Sequence, residues 1–331
     1  DRAGDSNRHS ALAARLASAD NGVVLLGQAA MGHPQAATLR ALAAYIASAT
    51  GSAFNILASG ANSAGAWQAG AVPGKGPGGA DRDAGMNVLQ MLGDPRRCYL
   101  LWGIDPEFDI DNPAAALSAL EQAGNVIAVV SHASESLLDA ANVLLPLAPI
   151  AESEGTLVNL DGAYTSFSAA GRARGDARPG WKILRLIGSD LGLEGFGQIN
   201  AAEVLEEART EIGQAEVSGG EPSLAGVNYE EGLYRIGELP MYSIDALCRR
   251  SEPLQETAQA NSLFLGLNPA DAARLGLGSG DRAKIRQGEG QVEMDVRISD
   301  RVPAGGAWLR SATGATAGLG SAYAPVTVEV V

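Results

Sequence analysis

The chain has few cysteines, histidines and aromatic residues. Of its 331 residues, 2 are cysteine and 3 are histidine, and aromatic residues make up 5%. Because an iron–sulfur cluster usually takes four thiolates, Cys98 and Cys248 cannot ligate one by themselves. Two cysteines far apart in the sequence also argue against a structural disulfide framework. Three scattered histidines argue against a histidine-based metal site.

Positive charge and long apolar runs are scarce as well. Lys and Arg number 24 against 38 Asp and Glu, a formal net charge of −14. This balance argues against nucleic acid or an anionic membrane surface as the main partner, because both bind a basic face. The longest apolar runs, such as 126–130 and 143–151, are far shorter than the roughly 18 residues that span a bilayer, so we expect no direct membrane insertion.

The sequence is instead typical of a folded protein with a real core. Hydrophobic residues make up 46% and charged residues 19%, which argues against disorder. The first residue is Asp1, and the residues after it do not have the charged region followed by an apolar region that is typical of a signal peptide. We therefore expect a chain on the cytoplasmic side that was cut from something longer.

Helical and strand patterns alternate through the first part of the chain. The apolar spacing predicts short buried strands and intervening helices, which indicates βαβ units and a mainly parallel sheet. Pro34 and Gly51 are placed to open and close the helix predicted over 36–48. The predicted strands cover 22–26, 54–57, 98–102, 126–130 and 143–146, and the predicted helices cover 10–19, 36–48, 83–92, 113–122, 134–141, 180–191 and 201–212.

After residue 212 the pattern changes. A polar stretch with Ser-Gly-Gly and Glu-Pro, 213–226, is typical of a linker or long surface loop. Further on, a helix over 269–275 and strands over 282–286, 291–298, 306–310 and 325–331 predict a compact β domain. The predicted domains are therefore an α/β domain at 1–212, a linker and interface segment at 213–262, and a β-barrel domain at 263–331.

Two motifs suggest a nucleotide or a catalytic histidine, and each also has a structural explanation. The loop 70–79 places Lys75 among glycines, but it lacks G-x-x-x-x-G-K-[ST], and its prolines remove amide donors that a phosphate needs. A packed surface loop is the favoured interpretation. His132 follows the strand predicted over 126–130, at the edge of a parallel sheet where ligands bind. A lone histidine there is more often a hydrogen-bonding residue than a catalyst.

The segment 152–162, ESEGTLVNLDG, carries Glu152 and Glu154 two positions apart. Carboxylates at this spacing share one face of a strand or loop, where repulsion raises one pKa and permits acid–base work. The alternative is a polar turn that leads into a strand. Gly155 and Gly162 permit positive φ at the ends of the segment. Between them, Thr156 and Asn159 are placed to hydrogen-bond nearby backbone.

A basic pair stands out in an acidic chain. Arg249 and Arg250 lie within 234–257, among apolar residues. Guanidinium groups suit buried carboxylate or carbonyl partners at domain interfaces. We expect at least one of the two to be buried between the α/β domain and the barrel. An exposed basic pair is the alternative.

Several of these segments resemble a known superfamily. ESLLDAANVLLPLAPIAESEGTLVNLDG (135–162) and GDARPGWKILRLIGSDLG (175–192) resemble motifs of molybdopterin oxidoreductase-like proteins. LNPADAARLGLGSGDRAKI (267–285) is similar to the start of their carboxy-terminal double-psi β-barrel. RIGELPMYSIDALCRRSEPLQET (235–257) resembles the large iron–sulfur subunit, also called the G subunit, of bacterial NADH:quinone oxidoreductase, respiratory complex I. The resemblance implies an α/β molybdopterin oxidoreductase-like fold with a barrel of double-psi type.

The sequence departs from that superfamily at its cofactor sites. The large iron–sulfur subunit carries its clusters on cysteines of an amino-terminal region, so none is expected in this portion. In the molybdenum enzymes an arginine usually follows the Asn-x-x-Gly motif, whereas Ala163 follows Gly162 here. The resemblance thus implies a cofactor-free portion in which Thr156, Asn159 and Asp161 are vestiges of a pterin site.

The function implied is a non-catalytic scaffold portion of the large iron–sulfur subunit. The whole complex would pass electrons from NADH to quinone on the cytoplasmic side of the bacterial inner membrane. This portion would contact the cluster-bearing region and other peripheral-arm subunits and bind no nucleic acid, while Arg249 and Arg250 would lie at the interface between its own two domains. One rival is a fragment of a molybdopterin-dependent oxidoreductase, in which Thr156, Asn159 and Asp161 contact the pterin. Another is a nucleotide-dependent transferase that uses the loop 70–79.

Overall fold

The computed structural model describes residues 6–214, 232–260 and 262–331. Most of the linker predicted at 213–226 lies outside these ranges. Within them no helix is both long and apolar enough to cross a membrane. The chain divides into two compact units. Among the described residues, the first comprises those up to Gly85, Gly155–Phe167 and those from Gln198 to 214, and the second comprises Met86–Glu154, Ser168–Gly197 and those from 232 onward.

The described strands are short, and several match the predicted positions. Those predicted at 98–102 and 143–146 have the expected bounds at both ends. In chain order the strands are β1 (Val23–Leu26), β2 (Ala53–Ile56), β3 (Cys98–Trp102), β4 (Asn125–Val130), β5 (Val143–Pro146), β6 (Gly155–Val158), β7 (Tyr164–Phe167), β8 (Leu233–Ile236), β9 (Leu265–Leu267), β10 (Arg282–Gln287), β11 (Gly290–Ile298), β12 (Gly306–Trp308) and β13 (Pro325–Val330).

The described helices vary more in length. They are α1 (Ser6–Ala17), α2 (Gln28–Met31), α3 (Ala36–Thr50), α4 (Ser63–Gln68), α5 (Val88–Gly93), α6 (Pro106–Asp109), α7 (Pro113–Glu121), α8 (Glu135–Ala140), α9 (Gly180–Asp190), α10 (Ala201–Gln214), α11 (Ala246–Arg249), α12 (Glu252–Gln255) and α13 (Pro269–Leu275). Short 3₁₀ helices cover Pro77–Gly79, Ile150–Glu152, Met241–Ser243 and Gly314–Thr316.

In the first unit, β1 and β2 pair in parallel, and α3 connects them. Gly51 ends α3 in the left-handed conformation, with φ +66°, and its N–H bonds carbonyls of the last helical turn. The predicted role of Gly51 as a helix stop is therefore confirmed. In the same unit, β6 and β7 form an antiparallel hairpin. The sequence predicted a polar turn in this region but not the hairpin.

In the second unit, β3, β4 and β5 form a parallel sheet in that order. Helices α6 and α7 lie between β3 and β4 in the chain, and α8 lies between β4 and β5. The core under this sheet combines the inward residues of the strands with those of the helices: Tyr99, Leu101, Ala119, Leu120, Val126, Ala128, Val130 and Leu137. The parallel arrangement follows from the βαβ pattern of the sequence.

A closed six-stranded barrel completes the second unit, in the order β10-β11-β9-β12-β8-β13. The fully buried apolar residues at its centre include Leu265, Leu267, Ile285, Val296, Leu309 and Leu319. Strand β8 belongs to this barrel although it lies in the segment 213–262, which the sequence predicted as linker and interface. The barrel therefore starts earlier in the chain than residue 263.

The reason β8 escaped prediction is its inward-pointing arginine. Leu233 and Arg235 both face the interior, and Arg235 is buried. Its guanidinium donates to the Gly320 carbonyl at 2.9 Å, to Ser311 Oγ at 3.1 Å and to Gln287 Oε1 at 3.3 Å. Burial lowers the pKa of Arg235 to about 10, although the charge of Asp111 acts in the opposite direction. A charged residue at a core position breaks the apolar alternation that predicts a strand.

The helix predicted over 83–92 starts later, at Val88. Asn87 accepts a hydrogen bond from the Gln90 N–H, and the Gln90 side chain accepts one from the Asn87 N–H. This reciprocal cap fixes the start of the helix at Asn87.

We predict that Gly290→Ala destabilises the barrel, whereas Gly314→Ala does not. A methyl group on Gly290 would lie 2.0 Å from the Gly318 carbonyl oxygen, a backbone atom that cannot rotate away. Overpacking of this kind typically costs about 1–3 kcal/mol. No heavy atom lies within 4 Å of the position of a Gly314 methyl group. Urea unfolding of both variants tests this prediction. Equal unfolding midpoints would show that Gly290 does not pack closely against the Gly318 carbonyl.

Candidate functional site

A buried acidic segment follows β3, at the carboxyl edge of the parallel sheet. Asp105 directly precedes α6, and its side chain is 1% exposed. Its backbone N–H donates to Asp109 Oδ2 at 2.7 Å, which holds the two carboxylates one helical turn apart. Buried carboxylates cost free energy unless they are paired and hydrogen-bonded. The segment therefore needs cations from elsewhere in the chain.

Arg249, at the end of α11, supplies the first cation. Its Nη2 lies 2.9 Å from Asp105 Oδ2, and its Nη1 lies 2.9 Å from Asp109 Oδ1. The same Nη1 donates to the Ser243 carbonyl at 3.1 Å. The guanidinium carbon is 5.1 Å from the centre of the Phe108 ring. The Arg249 side chain is 8% exposed, so this pair is largely removed from solvent.

Arg250 binds the same aspartate from a more open position. Its Nη1 lies 2.8 Å from Asp105 Oδ2, and its Nη2 donates to Asp105 Oδ1 at 3.3 Å. Nη1 also donates to the Ala246 carbonyl at 3.1 Å. This two-point contact matches the planar guanidinium to the planar carboxylate. The Arg250 side chain is 28% exposed.

Asp245 fixes the short helix that carries both arginines. Its Oδ1 accepts hydrogen bonds from the N–H groups of Leu247, at 2.9 Å, and Cys248, at 2.7 Å. The bond from the Cys248 backbone is the main reason that the pKa of Asp245 lies below its usual value, although burial acts against it. The ionised carboxylate is thus the form that caps α11.

The arginines keep Asp105 ionised in spite of its burial. Burial raises the pKa of Asp105, but hydrogen bonds from Arg250 and Arg249, together with their charges, bring it below the ordinary value of 3.8. Burial likewise lowers the pKa of Arg249, whereas bonds and charges from Asp109 and Asp105 raise it, with a net increase. Each partner therefore stabilises the charged form of the other.

The acidic segment also binds the barrel through Asp111. Ser321 Oγ donates to Asp111 Oδ2 at 2.5 Å, and the Ala322 N–H donates to Asp111 Oδ1 at 3.2 Å. Burial and the charge of Asp111 raise the pKa of the nearby Tyr323. One segment, 105–111, thus ties the sheet to α11 on one side and to a barrel loop on the other.

The cluster is suited to holding segments together rather than to acid–base work. Asp105 and Asp109 are neutralised by Arg249, and Asp105 also by Arg250. Two buried atoms beside these pairs, Glu107 Oε2 and Arg249 Nε, have no hydrogen-bond partner. Across the described residues, no group of three or more His, Cys, Asp or Glu side chains is arranged to hold a metal ion.

Sequence reasoning identified the arginines but missed their partners. The structure places Arg249 and Arg250 on carboxylates, as the expectation of a buried arginine described. Asp105, Asp109 and Asp111 were overlooked, although the residues from Asp105 to Asp111 are acidic at every second position directly after a predicted strand. That spacing at a sheet edge was the available signal.

The three residues predicted to contact a pterin lie on the β6–β7 hairpin, in the first unit. Asn159 Oδ1 accepts from the N–H groups of Asp161, at 3.0 Å, and Ala163, at 2.9 Å, and so forms the turn. Thr156 Oγ1 pairs with Ser166 Oγ across the hairpin at 2.9 Å rather than with backbone. The Asp161 side chain is exposed.

Of the two glycines predicted to permit positive φ, Gly162 has φ +79° in the turn, but Gly155 does not adopt positive φ. The prediction for Gly155 is wrong because this residue lies in β6, where a side chain would contact the Phe167 ring at 3.3 Å. Close packing rather than backbone conformation explains that glycine.

The remaining sequence candidates are separate from one another. Lys75 forms an ion pair with Asp81, so the positive charge of this loop is already paired within the chain. His132 Nδ1 lies 3.0 Å from Ser131 Oγ, just after β4, at the expected sheet edge. Glu152 Oε2 accepts from the Arg174 N–H at 3.3 Å, and no second carboxylate joins it in the contacts of the described residues. None of these sites assembles a catalytic group.

Two family models match the chain. The family model for molybdopterin oxidoreductase matches residues 7–189, and the model for the molydopterin dinucleotide binding domain matches residues 247–328. The first match covers more than half of the chain, and the chain therefore belongs to the molybdopterin oxidoreductase family.

The curated relatives differ in function. The G subunit of NADH-quinone oxidoreductase from Mycobacterium bovis is 24% identical, over 70% of this chain and 29% of that protein. The NADPH-Fe(3+) oxidoreductase subunit alpha of Geobacter sulfurreducens is 26% identical, over 67% and 28%. The F420-dependent formate dehydrogenase 1 subunit alpha of Methanococcus maripaludis is 23% identical, over 68% and 40%. The chain thus spans well under half the length of these relatives.

A solved structure supports the fold. Acetylene hydratase from Pelobacter acetylenicus superposes with a TM-score of 0.53 at 13% identity, over 75% of this chain and 47% of that chain. With the parallel sheets and the closed barrel, this likeness confirms the predicted fold class. At this identity it supports the fold alone.

The predicted pterin residues do not fit the group that the family implies. A pterin dinucleotide carries several negative charges on its phosphates, so its site needs cationic or N–H donors. The hairpin 155–167 contains no Lys or Arg, and Asp161 adds a negative charge. Arg209 of α10 lies over the Tyr164 ring at 4.4 Å, but a single cation supplies too little positive charge for several phosphate charges. The side-chain oxygen of Asn159 is already used in the turn.

We predict that Arg249→Ala destabilises the protein far more than Arg286→Ala. Removing Arg249 leaves the buried Asp105 with one partner, and breaking a buried pair typically costs about 3–5 kcal/mol. Arg286 lies on the barrel surface, 50% exposed, and its pair with Glu329 is worth roughly 0–1 kcal/mol. Unfolding midpoints in urea provide the measurement. Similarly small losses of stability in both variants would mean that the pair of Arg249 with Asp105 stabilises the fold no more than a surface ion pair does.

We further predict that the stability contributed by Asp105 depends on pH. Because its folded-state pKa lies below the ordinary 3.8, its contribution is complete above that value and is lost as pH falls through the lower folded pKa. Asp105→Asn should therefore be less stable than the unmodified chain at neutral pH, and the difference should shrink in acid. Asp300→Asn, at an exposed aspartate, is the control. A stability difference between Asp105→Asn and the unmodified chain that stays constant with pH would contradict the lowered pKa of Asp105.

Proposed function

We propose that this chain is a non-catalytic scaffold portion of the large iron–sulfur subunit of a proton-translocating NADH:quinone oxidoreductase. It would support electron transfer from NADH to quinone in the whole complex, on the cytoplasmic side of the bacterial inner membrane. Its partners would be other subunits of the peripheral arm. The iron–sulfur clusters would belong to the cysteine-bearing region of the full subunit, because Cys98 and Cys248 are both free thiols.

One observation carries this proposal: the charged groups of the candidate site neutralise one another. The buried carboxylate of Asp105 is occupied by Arg249 and Arg250, and both arginines lie in the segment 235–257 that resembles the large iron–sulfur subunit. Aspartates and arginines that are paired in this way hold segments of the same chain in place, and the paired groups are not available to a substrate as acid, base or nucleophile. The similarity to the Mycobacterium bovis protein, at 24% identity, adds further support.

A second candidate is a fragment of a molybdopterin-dependent oxidoreductase. The match of residues 247–328 to a molydopterin dinucleotide binding domain favours it, as does the similarity to a formate dehydrogenase of Methanococcus maripaludis. Such a fragment would supply binding groups for the dinucleotide, and the bound metal would supply the redox chemistry. The poor fit of Thr156, Asn159 and Asp161 to that ligand counts against this candidate.

Metal and pterin analysis separates the two candidates. We predict that the chain, purified from a host able to make the cofactor, is colourless, does not oxidise NADH and retains neither molybdenum nor tungsten in stoichiometric amounts. A molybdopterin-dependent formate dehydrogenase purified from the same host is the control for cofactor supply. Near-stoichiometric metal together with extractable pterin would overturn the scaffold proposal in favour of the second candidate.

A further inference from the structure

The sequence contains one Asn-Gly step, Asn21-Gly22, which lies between α1 and β1. Asp20 and Asn21 form a turn there, and Asn21 is exposed. An asparagine that precedes glycine can lose its side-chain amide without an enzyme, because the backbone nitrogen of the glycine can attack the side-chain carbonyl carbon. In a folded protein this reaction requires that both reacting groups are free to meet.

Neither reacting group at this step is engaged in a hydrogen bond. Across the described residues, no hydrogen bond involves the Asn21 side chain or the Gly22 N–H. The Gly22 carbonyl, by contrast, accepts from the Ala53 N–H at 2.9 Å. Backbone N–H groups inside folded proteins are usually paired, and an unpaired one directly after an exposed asparagine leaves the attacking nitrogen available.

Packing against Ser52 explains why a glycine follows Asn21. A Cβ atom on Gly22 would lie 2.3 Å from Ser52 Oγ and 3.2 Å from Ser52 Cβ. Ser52 Oγ in turn lies 2.8 Å from Thr50 Oγ1, at the end of α3. A larger residue at position 22 would therefore displace the Ser52 hydroxyl. The same lack of a side chain leaves the Gly22 nitrogen without steric protection and gives its backbone more freedom than other residues have.

We propose that Asn21 is a site of spontaneous deamidation in the folded chain. The Gly22 nitrogen forms a bond to Asn21 Cγ, the bond between Cγ and Nδ2 breaks, and the amide group leaves as ammonia with the proton of the Gly22 nitrogen. The product is a succinimide ring. Water then opens this ring at either of its carbonyls and gives aspartate or isoaspartate at position 21. The net reaction consumes water and releases ammonia, and nothing is oxidised or reduced.

Deamidation would alter the start of β1. Both products place a negative charge beside Asp20, and isoaspartate also lengthens the main chain before Gly22 by a methylene group. The parallel pairing with β2 begins at this point, since Val23 is in register with Ala53. Among the described strands, β1 has four residues and pairs with β2 alone, so a shift at its start disturbs much of its pairing. This inference does not depend on the scaffold proposal.

The test is mass spectrometry of the purified chain after incubation at mildly basic pH. Trypsin releases residues 16–40 as one peptide, and a sample digested before incubation corrects for conversion during digestion. We expect Asn21 in the folded chain to be converted within a few-fold of the rate in a synthetic peptide of residues 16–40, because no described hydrogen bond restrains either group. Asn62, which precedes Ser63, is the internal control. Its Oδ1 accepts from the Val158 N–H at 2.8 Å, so its amide should persist.

Asn21→Gln is the matched variant, because it keeps an exposed amide but must close a larger ring, and it should slow the conversion by roughly tenfold or more. The fold should survive this change, since Asn21 is exposed and its side chain makes no described hydrogen bond. Conversion at the rate of the peptide, slowed in Asn21→Gln, supports the proposal. Conversion in the peptide but not in the folded chain would overturn it, as would equal conversion of Asn21 and Asn62.

Discussion

Burying the Asp105 carboxylate almost completely costs free energy. The groups of the second unit that surround Asp105 are arranged to offset that cost. A buried carboxylate remains ionised only when cations and N–H donors surround it. Arg249 and Arg250 supply both charges, and they reach Asp105 because Asp245 caps the short helix α11 that carries them. Asp111, on the same acidic segment, binds the barrel loop at Ser321. The sheet, α11 and the barrel are thus held through one run of seven residues, 105–111.

Local patterns determined how much of this was predictable from sequence. The strands at 98–102 and 143–146 and the helix at 269–275 have strong apolar spacing and clear Pro or Gly signals at their ends, and their bounds were predicted correctly. Strand β8 was missed because Arg235 occupies a core position, and its two Nη atoms donate to carbonyls that are distant in sequence. The expectation that Arg249 or Arg250 is buried rested on residue type. The identity of their partner, Asp105, could be known only from the tertiary fold.

The two regions that the family resemblance connects to a pterin behave differently. At the β6–β7 hairpin, Asn159 and Thr156 have their hydrogen bonds within the hairpin, and Asp161 opposes an anionic ligand. On the barrel, Arg297 is exposed, whereas Arg310 has a buried Nε and donates from Nη1 to the Gln259 carbonyl. The hairpin residues thus act within the hairpin, whereas Arg297 carries a positive charge at the barrel surface.

A double-mutant cycle between Asp105 and Arg249 tests most directly whether their pairing organises the second unit. The free energy of unfolding is measured for the unmodified chain, Asp105→Asn, Arg249→Gln and the double variant. Since each single change leaves a buried charge or donor unpaired, we expect a coupling energy of about 1–3 kcal/mol, with the double variant losing less than the sum of the single losses. Losses that add to within about 0.5 kcal/mol would show that the two residues act independently and would contradict this account.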